Sequence, residues 1–231
     1  MRKQAALILI GLAAALPAPA QSPAPAPSPA VSPISNERIL GIIPNFQAVN
    51  DPSHPYSPLR VRDKWYLFVK ESTDPYTFAT SALGATLSQW HNTAPQYGWG
   101  YGAWFQRLGA AQADSTTQNF FSDAVLASLL HEDPRYFRLG PAHKVMYRAV
   151  YAFSRVLITR RDSGKDGFNT SNIVGMGLGI ALSNTYYPSK SVNGAEMGSR
   201  VVTSLTSSAL GNLLPEFWPD VKSKLDRLRH H

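Results

Sequence analysis

The chain has 231 residues, with 22 Lys and Arg against 15 Asp and Glu, and it contains no cysteine. The lack of cysteine excludes disulfide bonds, thiolate zinc sites, thiol catalysis and a lipidated cysteine anchor. The 44% of hydrophobic residues excludes a disordered chain, and the 16% of charged residues is low beside the about 25% of ordinary soluble domains.

The N-terminus has the layout of a secretory signal peptide. Arg2 and Lys3 precede an apolar run over 5–15, and Ala-Pro-Ala at 18–20 supplies the small residues of a cleavage site. The apolar run is shorter than the about 20 residues that a membrane-spanning helix needs. We therefore predict a signal peptide over 1–20 and export to the periplasm, in solution there or associated with the outer membrane.

The rest of the chain divides into a spacer and one domain. Residues 21–36 are rich in proline and alanine, which predicts an extended spacer. Residues 37–231 predict a helical domain with a basic C-terminal tail. Its first part, 37–50, is interrupted by Gly41 and Pro44 and predicts an extended lead-in with an edge strand.

Apolar periodicity and capping residues then predict helices. Trp65, Phe68 and Val69 share one helical face, and Asp74-Pro75 is a cap followed by proline. Ser122 predicts another helix start, and Asp133-Pro134 repeats the cap signal. The predicted helices cover 60–72, 75–91, 101–113, 122–130, 141–159, 171–187 and 196–214, with Pro219 ending the last region. The predicted fold is all-α, a single compact bundle of about six helices.

Small residues indicate tight helix packing. Ser171, Gly175, Gly179 and Ser183 are four apart, which places them on one helical face where a second backbone can approach closely. Because glycine destabilises an exposed helix by about 1 kcal/mol relative to alanine, this stripe is expected to be covered. The alternation of large residues and glycine over 174–180 also fits a half-buried strand, but no other segment alternates so cleanly.

Two segments, 75–106 and 167–189, contain no Lys, Arg, Asp or Glu. Both are rich in serine, threonine and asparagine, and neither has 18 consecutive apolar residues, so a simple membrane span is not predicted. The sequence leaves open whether helices in these segments lie in a membrane interface or enter the membrane partway.

A basic and aromatic stretch follows between 135 and 161. A basic amphipathic helix with aromatic residues can bind an anionic membrane surface, and such binding should weaken in salt. The alternative is that these charges form the ordinary solvated face of a core helix. The residues predicted to bind an anionic surface are Lys144, Arg148, Arg155, Arg160 and Arg161.

The segment 131–136 holds a cluster of reactive side chains that is a weak catalytic candidate. Its histidine stands beside carboxylates and could act as a general base, but the second histidine that a zinc-protease helix needs is absent. A cap at Asp133 and a histidine at a helix C-terminus explain the cluster without catalysis. No metal site and no cofactor is predicted. The candidate residues are His131, Glu132, Asp133, Arg135 and Tyr136.

Five short motifs, taken in order, resemble an uncharacterised family of small exported proteins from acidobacteria and related soil bacteria. The resemblance covers most of 37–221 and implies a shared fold, but no activity or catalytic residue. The motifs lie at 38–46 (RILGIIPNF), 67–71 (LFVKE), 129–137 (LLHEDPRYF), 183–188 (SNTYYP) and 216–220 (EFWPD).

These features predict a non-enzymatic cell-envelope protein that associates with a membrane surface. Its expected partner is an anionic membrane surface or an envelope polyanion, and export argues against nucleic acid. One alternative is an exported hydrolase with a His131 and Glu132 centre. A further alternative is a homo-oligomer whose glycine stripes pack against another copy.

Overall fold

A computed structural model describes residues 34–49, 56–189 and 192–229. The predicted signal peptide and the spacer up to residue 33 lie outside these residues. The end of the predicted spacer belongs to the domain, because Ile34 is buried with Phe46, Leu59 and Leu67. Lys70 also donates a hydrogen bond to the carbonyl of Ser35, at 2.8 Å.

The first two helices follow the sequence prediction closely. Helix α1 spans Val61–Ser72 and helix α2 spans Pro75–Trp90. The Asp74 carboxylate accepts a hydrogen bond from the Tyr76 amide, at 2.9 Å, and so caps α2. In α1, however, Lys64 and Leu67 are the buried residues, whereas Trp65 and Val69 are exposed.

A long helical segment replaces two predicted helices. Helix α3 spans Tyr101–Asn119 and continues as a π-helical segment, Phe120–Leu126, and a short helix α4, Ala127–Leu129. The prediction that Ser122 begins a separate helix is wrong. The Ser122 hydroxyl donates to the Gln118 carbonyl within the segment, at 2.8 Å, and does not cap a new helix.

The all-α prediction is only partly confirmed, because the mainly helical fold contains small sheets. Strands β1 and β2 pair antiparallel, β3 and β5 pair parallel, and β4, β6 and β7 form an antiparallel sheet. Asp133 therefore ends β4, Pro134 lies in the connection to β5, and the pair does not begin a helix. The strands are β1 Arg38–Ile39, β2 Ile43–Pro44, β3 Ala48–Val49, β4 Glu132–Asp133, β5 Tyr136–Phe137, β6 Ile158–Arg161 and β7 Asp166–Phe168.

Three more helices complete the described fold. Helix α5 spans Val145–Ser154, which is shorter than predicted because the chain enters β6. Helix α6 spans Thr170–Ser183, so the segment with alternating glycines is helical. Helix α7 spans Gly194–Arg229 and continues through Pro215 and Pro219, although Pro219 was expected to end the helical region. The predicted basic tail is the last part of α7.

The helices pack in a row in which α2 contacts α3, α3 contacts α6, α6 contacts α7, and α7 contacts α5. Small residues line these contacts, including Ala85 of α2, Ala110 of α3 and Gly179 of α6. Large apolar side chains are instead abundant on the outside. Among the described residues, no helix combines the length and the apolar character needed to cross a membrane.

Candidate functional site

The side chains of the neighbouring residues His131 and Glu132 lie in different environments. The His131 side chain is 79% exposed, and its Nδ1 lies 3.6 Å from a carboxylate oxygen of Asp162. Glu132 is buried and accepts a hydrogen bond from the Ser171 amide at the start of α6, at 2.8 Å. The two side chains therefore have different environments, and nothing in their contacts joins them into a catalytic pair.

The next residues of the motif form a buried ion pair. Asp133 is fully buried, and Arg135 donates to it from Nε at 3.0 Å and from Nη2 at 2.7 Å. The Tyr56 hydroxyl also donates to Asp133, and burial with this hydrogen bond and the nearby negative charge raises the pKa of Tyr56. Such saturated pairing fixes the chain between β4 and β5 and leaves little capacity for catalysis.

Tyr136 takes part in a second buried network, centred on Glu216 of α7. Glu216 is fully buried and accepts hydrogen bonds from Tyr136, at 2.8 Å, and from the amides of Leu139 and Gly140. Arg148 completes it with a 2.6 Å contact from Nε. Sequence reasoning missed Glu216 as an anchor, although Glu216 and Asp220 stand four apart in the EFWPD motif and so share a helical face.

Of the five basic residues predicted to bind an anionic surface, Arg148 and Arg155 are not exposed in the structure. Both are buried, because Arg148 pairs with Glu216 and Asp220, and Arg155 pairs with Asp166 at 2.8 Å. Arg160 is partly covered, and its guanidinium stacks over the Phe137 ring at 4.4 Å. Lys144 and Arg161 are exposed.

The predicted packing stripe of α6 lies against α3 and the π-helical segment. Ser171, Gly175, Gly179 and Ser183 are all buried. A Cβ atom added to Gly175 would come within 2.6 Å of the Ser122 backbone nitrogen, and one added to Gly179 within 2.6 Å of the Gln118 side chain. This stripe therefore permits a backbone approach that any larger residue would obstruct.

A polar cavity of about 180 Å³ lies where the π-helical segment, α6 and α7 meet. Asp123 of the π-helical segment lines it. The Gln47 side-chain amide donates to Asp123 at 3.2 Å and to Glu71 at 2.6 Å. Burial raises the pKa of Asp123 to about 6, and burial with repulsion from Asp123 raises that of Glu71. Other lining residues are Asn119, Arg155, Asn169, Asn172, Ser208 and Asn212.

The cavity has room for several water molecules or one small polar molecule. Two of its positive charges are already neutralised, since Arg135 pairs with Asp133 and Arg155 pairs with Asp166. Within the described residues, no group of three or more His, Cys, Asp or Glu side chains is placed to hold a metal ion. The cavity is thus a polar interior space whose lining includes the carboxyl group of Asp123 and the phenol of Tyr136.

The outer surface is unusually apolar. On α5, Val145, Met146, Tyr147 and Val150 are exposed while Arg148 faces the interior. This arrangement inverts the usual one for large side chains: Arg148 and the small Ala152 are buried, whereas the large apolar residues of an ordinary surface helix face the core. The end of the α2–α3 hairpin likewise exposes aromatic residues, which are Trp90 of α2, Trp99 of the connection, and Tyr101 and Phe105 of α3.

Comparison with known proteins supplies no assignment: no family model, curated protein or solved structure matches the chain.

Proposed function

We propose that this protein is an exported, non-enzymatic envelope protein that associates with a membrane surface through its outward apolar side chains. The observation that carries the proposal is the inversion of α5. Met146 is 75% exposed and Val150 is 60% exposed, while Arg148 on the same helix is 2% exposed. A surface with so many apolar side chains marks an interaction site with a membrane or another protein.

The buried ionic networks support the same proposal. Arg148, Glu216 and Asp220 satisfy one another inside the domain, so the outside of α5 is left to apolar groups. Association with lipid then depends mainly on apolar burial, which salt does not screen. This differs from the basic surface expected from the sequence, since two of its five residues are buried.

Export rests on the signal-peptide layout of residues 1–20, and the resemblance to a family of exported proteins agrees with it. The exported hydrolase has weaker support, because His131 is exposed and Glu132 is held by the Ser171 amide. We therefore propose a structural or interaction role at a membrane, and the hydrolase is the alternative.

Fractionation of cells that express the full chain tests the proposal. Membranes are washed with high salt and then with alkaline carbonate, and mass spectrometry shows whether the retained chain begins at Gln21. Retention of the processed chain through the salt wash is expected. Release by salt would contradict apolar binding, and recovery in the soluble periplasm would contradict membrane association and favour the hydrolase.

A further inference from the structure

The hairpin formed by α2, the connection 91–100 and α3 ends in a cluster of exposed aromatic residues. Tyr101 is 89% exposed, Trp90 is 75% exposed and Trp99 is 67% exposed. Tryptophan and tyrosine have apolar rings with a polar edge, and they concentrate where a membrane meets water. The end of this hairpin therefore has the side chains of a membrane interface.

Charge is absent from the outside of the same hairpin. Arg107 is the only Lys, Arg, Asp or Glu between residues 75 and 113, and it is buried. Its guanidinium donates to the carbonyls of Gly98, at 3.0 Å, and Ala94, at 3.1 Å, both in the connection. The one charge thus points into the hairpin and satisfies backbone acceptors at its end.

Two further pairs of polar side chains in the hairpin are bonded internally. The Trp104 indole N–H donates to the Thr86 hydroxyl at 3.0 Å, and Thr93 donates to Ser88 at 2.7 Å. The Gln89 side-chain oxygen, the Tyr97 hydroxyl and Arg107 Nε are buried exceptions without a hydrogen bond. Internal pairing matters little in water, but an apolar medium offers no partner for a free carbonyl or hydroxyl.

We infer that the end of the α2–α3 hairpin, residues 90–105, is the segment that enters the bilayer at the boundary between head groups and acyl chains. The inference rests on the proposed membrane association and adds a second lipid-contacting element to the outer face of α5. Lipid suits this surface better than a second copy of the chain, because internally satisfied carbonyls together with an uncharged aromatic end are what an apolar solvent requires. Insertion at an interface reaches about 5–10 Å below the head groups.

The cysteine-free chain allows a site-specific test. Tyr101→Cys carries an environment-sensitive dye, and Ser163→Cys, in the exposed turn between β6 and β7, is the matched control. Both variants begin at Gln21, because the apolar run over 5–15 would itself bind lipid. Vesicles of phosphatidylethanolamine and phosphatidylglycerol should shift the dye at position 101 to the blue, and brominated acyl chains should quench it, with no change at position 163.

A protein that floats with vesicles while the dye at position 101 stays in water would overturn the inference and leave the proposed function standing. A protein that does not float at all would overturn both. A blue shift that depends on protein concentration without lipid would show that a second copy covers the hairpin, and this too would overturn the inference.

A second pair of variants measures the contribution of the aromatic residues. The double change Trp99→Ser and Tyr101→Ser should lower the vesicle partition coefficient by about tenfold, since it removes two of the four exposed aromatic side chains at the end of the hairpin. Ile42→Ser, at a similarly exposed site between β1 and β2, should leave the coefficient unchanged. Equal partitioning of both variants would overturn the inference.

Discussion

Glu216 offers a direct test of the buried ionic network. Its carboxylate is fully buried and accepts four hydrogen bonds, from Tyr136, Arg148 and the amides of Leu139 and Gly140. Glu216→Ala removes the acceptor of all four hydrogen bonds at once. Arg148 keeps its contact with Asp220, but its Nε stays buried without a partner.

The expected loss of stability follows from the Arg148 charge, which stays buried after Glu216 is removed. Removing one member of a buried ion pair costs about 3–5 kcal/mol, because the other charge remains desolvated. In a domain of this size each kcal/mol lowers the melting temperature by about 2–4 °C, so a fall of about 6–20 °C is expected. The control is Arg60→Gln, because Arg60 forms an exposed pair with Asp63 whose loss costs about 1 kcal/mol or less.

The assay is urea unfolding followed by circular dichroism, with Glu216→Ala, Arg148→Met, the double variant of these two and the control Arg60→Gln. Deleting both charges should destabilise less than the sum of the two single changes, by more than about 1 kcal/mol, because the residues are in contact. A loss below about 1 kcal/mol for Glu216→Ala, or strict additivity, would refute the view that this network holds α7 to the rest of the domain.

Three further predictions concern packing, pH and the candidate catalytic motif. Gly175→Ala should destabilise by about 1–3 kcal/mol because its Cβ would meet the Ser122 backbone, whereas Gly177→Ala, with open space, should stabilise by about 1 kcal/mol; thermal melts compare the two. Because Asp123 and Glu71 have raised pKa values, the folded state holds protons that the unfolded chain releases. Their contribution therefore makes unfolding free energy fall as pH rises from about 4 to about 7, and Asp123→Asn should flatten this dependence in urea titrations. His131→Asn should change stability by less than about 0.5 kcal/mol, and Asp133→Asn should cost about 3 kcal/mol; a hydrolase activity lost in the His131 variant alone would favour the enzyme hypothesis.

Local signals in the sequence predicted α1, α2 and the face of α6 that carries the small residues. Asp74 caps α2 because its side chain reaches the Tyr76 amide two residues later, and the four-residue spacing of Gly175 and Gly179 places both on one face of α6. These features depend on neighbours within about one helical turn, so the sequence contains the information for them.

The features that the sequence did not predict depend on partners that lie far away along the chain. The strand residue Asp133 pairs with Arg160, 27 positions later, and a two-residue strand has too little alternation to be recognised. Arg148 looked solvated because its partners, Glu216 and Asp220, lie about 70 residues away. Within α1, Trp65 and Val69 were natural core candidates, but the domain buries Lys64, which pairs with Asp162 at 2.9 Å.

Vesicle flotation at low and high ionic strength tests whether apolar side chains bind this protein to lipid. The chain from Gln21 onward is mixed with neutral or anionic vesicles in low and high salt. Apolar binding predicts flotation with both kinds of vesicle and little loss in high salt, since Arg148 and Arg155 are buried. Flotation only with anionic vesicles and release by salt, or no flotation at all, would contradict it.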